Sequence, residues 1–178
     1  MKKIKVYIAV SLDGFIAPPD GGLDGLSELA GIAPNRYEYR EFYDSIDTVI
    51  MGNSTFQEFR NTDVEWPYGD KFTYVLSSHK DSLPLKENIV FLTENIPGTV
   101  RQLKEQAGKD IWLVGGGQTI TFLLNRDLID EIQLCYFPVI LGKGVPLFSG
   151  KLKMSNWKLI ENTVLHSGIL KVTYQKNL

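Results

Sequence analysis

Cysteine is almost missing from the chain: Cys135 is the only one in 178 residues, so neither an intrachain disulfide nor a cysteine-based zinc site can form. It sits in an apolar run and reads as buried filler rather than as a nucleophile. Histidine is scarce too, and His79 and His166 are too far apart in the chain, and too near turns, to suggest a catalytic pair. An excess of one charge is also lacking: 19 Lys and Arg face 21 Asp and Glu, a net charge of -2, with no basic cluster of the kind that neutralises a nucleic-acid backbone. No apolar run approaches the ~20 residues that span a bilayer. The opening "MKKIKVYIAVSLDGFIA" is broken at Ser11 and Asp13 and alternates like a strand, not like a signal peptide. These lacks predict a cytoplasmic protein without nucleic-acid, membrane or metal partners, in which the Asn53-Ser54-Thr55 sequon goes unused. The length suits a single domain, 1–178, with a sizeable core.

What is present is an alternation of strand and helix patterns. "IKVYIAV" reads as a strand, and the Gly-, Pro- and Asp-rich "SLDGFIAPPDGGLDGL" as a long loop. Tyr39, Phe42, Tyr43 and Ile46 recur at helical spacing after a cap at Asn35. "TVIM" is a short buried strand ending at Gly52, followed by a helix with cap-type residues Asn53, Ser54 and Thr55. "FTYVLSS" and "NIVFL" are strands, "GTVRQLKEQAG" a helix with Val100, Leu103 and Ala107 on one face and Gly108 at its end. "DEIQLCYFPVI" is a strand, and two β-rich runs around His166-Ser167-Gly168 form a terminal hairpin. The pattern predicts an α/β fold: a central, mostly parallel sheet with helices on both faces and a C-terminal antiparallel hairpin.

The densest signal is "IWLVGGGQTITFLL", an apolar strand running through three glycines into a helix. Such a junction presents unpaired amides of the first helical turn to an anion, with the helix dipole in support; a tight turn with close helix–strand packing is the alternative. It does not match the dinucleotide fingerprint, because Ile120 stands where the third glycine belongs, and no GK is followed by Ser or Thr as a P-loop requires. "VIMGNSTF" and "VLSSHK" repeat the same junction, and three such strand ends suit a long, multiply charged ligand across the carboxyl edge of a sheet.

With "AVSLDGFIA" and "PVILGKGVPLF", these stretches resemble the dihydrofolate reductase superfamily, in particular small bacterial proteins similar to the C-terminal reductase domain of the bifunctional riboflavin-biosynthesis deaminase/reductase. The resemblance implies a dihydrofolate reductase-like three-layer fold, a homodimer, and NADPH as cofactor. It places the diphosphate on Gly115, Gly116, Gly117, Gln118, Thr119 and Ile120, the adenosine-side phosphates near Gly52, Asn53, Ser54 and Thr55, and the adenine against Leu76, Ser77 and Ser78. Ala9, Ile16 and Ala17 would lie against the nicotinamide. Many members carry arginine where Asn53 stands, so Ser78, His79 and Lys80 would have to take the 2′-phosphate, and NADH stays open.

For the heterocyclic substrate, Asp13 beside the first strand is the candidate catalytic and substrate-binding residue, against an Asp-Gly turn as the plain alternative. The carboxylate that dihydrofolate reductases carry on the first helix falls at Arg36 by a gapless count. A two-residue slide offers Glu38 with Phe42 as aromatic contact; a solvated Glu38 is the alternative. Tyr37, Tyr39 and Trp66 are candidate pocket walls or core residues, and Lys143 a candidate phosphate contact or a solvated lysine. The deaminase half of the bifunctional enzyme is missing, having left no H-x-E or P-C-x-x-C. Three readings follow: reduction of 5-amino-6-(5-phosphoribosylamino)uracil, pterin reduction of the dihydrofolate type, or nucleotide binding without efficient reaction.

Overall fold

The computed structural model describes residues 1–22, 25–31, 36–61, 65–78, 87–165 and 168–177, and at 28 and 36–38 the backbone alone. In chain order the elements are β1 (Ile4–Ser11), β2 (Phe15–Ala17), α1 (Gly25–Ala30), α2 (Arg36–Asp44), β3 (Ile46–Gly52), α3 (Asn53–Arg60), β4 (Phe72–Leu76) and β5 (Ile89–Leu92). There follow α4 (Ile96–Glu105), β6 (Asp110–Gly115), α5 (Gly117–Leu124), β7 (Glu131–Phe137), β8 (Val145–Pro146), β9 (Trp157–Val164) and β10 (Leu170–Lys176). Eight strands form one sheet in the order β5-β4-β3-β6-β1-β7-β10-β9. The pairs from β5 to β7 are parallel, and β10 joins β7 and β9 antiparallel, as the hairpin pattern predicts.

The central strands are apolar on both faces because helices cover both. On one face Ile4, Val6 and Val10 of β1, Ile50 of β3 and Leu113 of β6 meet Val100 and Leu103 of α4 and Ile120 and Leu123 of α5. On the other, Val49 and Met51 of β3 and Trp112 of β6 meet Phe42 of α2 and Phe56 of α3, while Cys135 and Phe137 of β7 meet Leu26 of α1. Alternate residues of each strand therefore serve opposite layers, as the period of two requires.

Four local expectations need correction. The long stretch after β1 is not all loop: β2 forms inside it and pairs with β8, a two-residue strand from "PVILGKGVPLF", and α1 begins at Gly25. Asn53, Ser54 and Thr55 are the first residues of α3 rather than its caps, since the N-cap is Gly52, in extended conformation. Helix α4 closes at Glu105, which leaves Ala107 exposed and Gly108 beyond the end. Ile46 belongs to β3, not to the helix before it, although it packs with Phe42 as its spacing indicated. Asn35, His79, Lys80, His166 and Ser167 lie outside the described residues.

Candidate functional site

The carboxyl ends of β4, β3, β6 and β1 lie side by side, and two of them turn directly into helices. At the first, Gly52 leads β3 into α3; at the second, Gly115 and Gly116 lead β6 into α5. Neither helix has a side-chain cap or an acidic residue in its first turn. The two helix starts touch: a Cβ on Gly52 would strike Thr119 Oγ1 of α5, and one on Gly116 would come 3.6 Å from Thr55 Oγ1 of α3. Two positive helix ends, each with first-turn amides ahead of its own hydrogen-bond ladder, therefore converge at one rim.

The three glycines differ in what they are for. Gly115 has φ +145°, a backbone that side chains rarely adopt. Gly117 lies under the strap 138–156, and a Cβ there would run into the carbonyl oxygens of Pro146 and Leu147. Gly116 meets neither demand: its φ is −78°, and a methyl would make only the ordinary contact with Thr55. Its bare flank is space held open between the two helix starts. Such a cradle fits the diphosphate of a dinucleotide.

Beside the junctions lies a cleft of about 410 Å³. Leu76, Ser77 and Ser78 at the end of β4 form one wall and Gln118 and Thr119 of α5 another, so the structure brings together residues that the sequence placed on separate motifs. Thr93, Ile96 and Phe122 complete it and were missed. Thr93 could have been found by the strand-end rule applied to "NIVFL", and Phe122 as the residue one turn beyond Gln118.

The remaining candidate residues differ in what they offer a ligand. Ile120 is a correction: its amide closes the first helical bond to the Gly116 carbonyl at 3.0 Å and its side chain is fully buried, so neither is offered to a ligand. The amides of Gly117, Gln118 and Thr119 precede that bond. Asn53 is half-buried, its side-chain oxygen accepting from Gln57 Nε2 at 3.4 Å; Ser54 is exposed and Thr55 half-buried. Ala9 pairs with Cys135 in the sheet, and Ala17 with Val145 across β2 and β8, with Ile16 half-buried against the main core. Phe42 is also corrected as a substrate contact: it is 7% exposed, stacked on Tyr7 at 4.5 Å and edge-on to Trp112 at 5.4 Å. The ring is buried in the aromatic layer.

The proposed pocket walls belong to the same aromatic layer. Tyr39 packs on Tyr43 and Trp112, and Trp66 lies edge-on to Phe56, Phe59 and Tyr68, which fits the core reading of both. Burial, and then the charge of Asp70, push the Tyr39 phenol up to about 12. The side chains of Tyr37 and Glu38 lie outside the described residues, and Lys143 is exposed.

Asp13 is exposed but engaged. Its carboxylate accepts from Ser11 Oγ at 2.6 Å, from the Leu141 amide at 3.1 Å and from the Gly142 amide at 2.7 Å. The Ser11 bond foremost, aided by those amides against some desolvation, holds the carboxyl below the usual range. Held in this way, the carboxylate serves as an acceptor that joins the turn after β1 to residues 141–142.

Comparison with known proteins fits this geometry. The RibD C-terminal domain model matches residues 2–171. The chain belongs to the RibD C-terminal domain family. It is 40% identical over 147 residues to the uncharacterized protein YwjB of Bacillus subtilis, covering 83% of each chain. A putative riboflavin biosynthesis protein from Shewanella sp. PV-4 superposes with a TM-score of 0.86 at 30% identity, over 99% of each chain. The Thermotoga maritima diaminohydroxyphosphoribosylaminopyrimidine deaminase/5-amino-6-(5-phosphoribosylamino)uracil reductase gives 0.74 at 16% identity; 99% of this chain covers 57% of that longer protein. Dihydrofolate reductase from Enterococcus faecalis, solved with NADP(H), gives 0.64 at 16% identity over 98% of this chain and 96% of that one. The fold is thus dihydrofolate reductase-like, as the sequence resemblance implied.

Proposed function

We propose that the chain is a single-domain, NADPH-dependent reductase that adds hydride to a sugar-derived carbon on a pyrimidine-type substrate, the reaction class of 5-amino-6-(5-phosphoribosylamino)uracil reductase. One observation carries this reading: two uncapped helix N-termini converge on the bare flank of Gly116, beside a cleft able to take an adenosine. The amides of Gly117, Gln118 and Thr119, with those of Asn53, Ser54 and Thr55, would hold the diphosphate, while Leu76, Ser77 and Ser78 would line the adenine. The dinucleotide would then run along the carboxyl edge toward β1, with Ala9, Ile16 and Ala17 on the nicotinamide side.

NADPH, when bound, would supply the hydride, and a proton from solvent would complete the reduction. The chain's part is to fix the ring beside the acceptor and keep water out, which β2 and the strap serve by covering the end of β1. Pterin reduction of the dihydrofolate type gains no support from Phe42, whose ring is closed off. Asn53 at the family's arginine position leaves NADH as the alternative cofactor. A cytoplasmic location and a homodimer belong to the same reading; β9, at one edge of the sheet, supports the second point, since Leu159 and Ile160 stand exposed there.

The test is direct. The protein is titrated with NADPH and NADH by tryptophan fluorescence, then given the phosphoribosylaminouracil substrate or dihydrofolate while reduced-nicotinamide absorbance is followed. Oxidation with the uracil substrate is the expected result. Binding without oxidation of any acceptor would favour a nucleotide-binding protein instead, and no binding of either dinucleotide would end the reading.

A further inference from the structure

The turn after β1 and the strap that follows β7 meet repeatedly. The Leu12 amide donates to the Val139 carbonyl at 2.9 Å, the Leu147 amide to the Gly14 carbonyl at 2.9 Å, and β2 pairs with β8. Asp13 stands where the two segments join. One oxygen of its carboxylate takes the Ser11 hydroxyl and the Leu141 amide, the other the Gly142 amide. Ser11, fully buried, accepts in turn from the Phe15 amide at 2.9 Å, the first residue of β2. An Asp-Gly turn needs only local amides; two of these donors lie 128 and 129 residues away.

The strap's far side reaches the other half of the site. The carbonyl oxygens of Pro146 and Leu147 lie against Gly117, and the Ser149 amide donates to Thr121 Oγ1 at 2.8 Å. A line of contacts therefore runs from Asp13, through residues 139–149, to the first turn of α5.

We propose that Asp13 is a positioning residue, whose carboxylate latches the β1–β2 turn to residues 141–142 and so fixes β2 over the end of β1 and the strap over the start of α5. Its consequence for turnover rests on the reductase reading; the latch itself does not. Among the described residues the Ser11 hydroxyl and the Leu141 and Gly142 amides all donate to the group, and a carboxylate satisfies all of them. An asparagine would turn its NH₂ toward one donor and keep part of the latch. Alanine would remove it. In the working enzyme Asp13 moves no proton; it sets where Ile16 and Ala17 stand relative to the nicotinamide ring.

The experiment compares the wild type, Asp13→Asn and Asp13→Ala by residue-resolved amide hydrogen exchange and by steady-state kinetics. The Leu141 and Gly142 amides should exchange at least about tenfold faster in Asp13→Ala, with Asp13→Asn between, because the opening involved is local. The KM for the reduced cofactor should rise more than kcat falls, and kcat/KM should keep the shape of its pH profile in Asp13→Asn. Unchanged exchange at both amides overturns the latch. A lost limb of the pH profile in Asp13→Asn, with exchange intact, makes Asp13 a proton carrier and also overturns it. Should Asp13→Ala not fold, Asp13→Asn decides by the same two readouts. If the wild type binds no dinucleotide, the reductase reading falls, and exchange alone decides the latch.

Discussion

Replacing Gly116 with alanine separates the ligand's needs from the protein's. The residue already has φ −78° and ψ −174°, where alanine is at ease, and its Cβ would sit 3.6 Å from Thr55 Oγ1, an ordinary van der Waals distance. Folding should be little affected, within about 1 kcal/mol of the wild type in either direction. For a chain of this size that is a melting shift of no more than about 4 °C. Binding should suffer, because the methyl group occupies the flank that a diphosphate must approach to reach the α5 amides. Losing one charge-assisted hydrogen bond costs about 1.5–3 kcal/mol, a rise in Kd of roughly ten- to more than a hundredfold. Calorimetric titration with NADPH, beside a thermal melt of the same samples, checks both halves. A Gly116→Ala protein that melts normally and binds NADPH within about twofold of the wild type refutes the argument that this glycine is bare for a ligand.

Gly117→Ala should do the reverse. The added carbon meets backbone carbonyl oxygens of the strap, which cannot swing aside, so overpacking of about 1–3 kcal/mol and a melting point several degrees lower are expected, readable by differential scanning calorimetry. On the acid side, Asp47 and Asp110 are pushed up by burial but pulled down further by the hydrogen bonds of Lys2 and Lys5 respectively and by neighbouring groups, so both carboxyls end below their unfolded value. Their contribution is complete above about pH 5 and is lost as pH falls through ~4 and below. Urea unfolding across that range should show stability falling with pH, and a smaller fall in Asp110→Asn; stability that rises on acidification would contradict the assignment.

The layers were readable because β1, β3, β6 and β7 are short apolar runs bounded by glycine or polar residues, and strands buried on both faces look like that wherever they occur. The β6–α5 junction was readable for a related reason: glycines in a row mark a backbone that needs a positive φ or the close approach of something else, and both occur here. The pairing of β2 with β8 was not. Three residues against two leave no periodicity to detect, and the partners are far apart in the chain. Phe42 shows a different limit. Helical spacing tells which side chains share a face, yet it is silent on whether that face looks at a cavity or at Tyr7 and Trp112. Asp13 combines the two: its turn is visible in "SLDG", while the amides of Leu141 and Gly142 that give it a second task belong to another part of the chain.

The sheet order also carries a consequence for how the molecule comes into being. Strand β1, made first, has its neighbours at residues 111–113 and 131–137, so during synthesis its apolar sides wait for more than half the chain before either partner exists. Closing so long a loop precedes the reward of pairing, which makes assembly slow and leaves sticky intermediates on the way. A ribosome-bound chain halted before β7 would expose one flank of β1 to any passing strand, and it is there, rather than at the finished surface, that a chaperone would find most to hold.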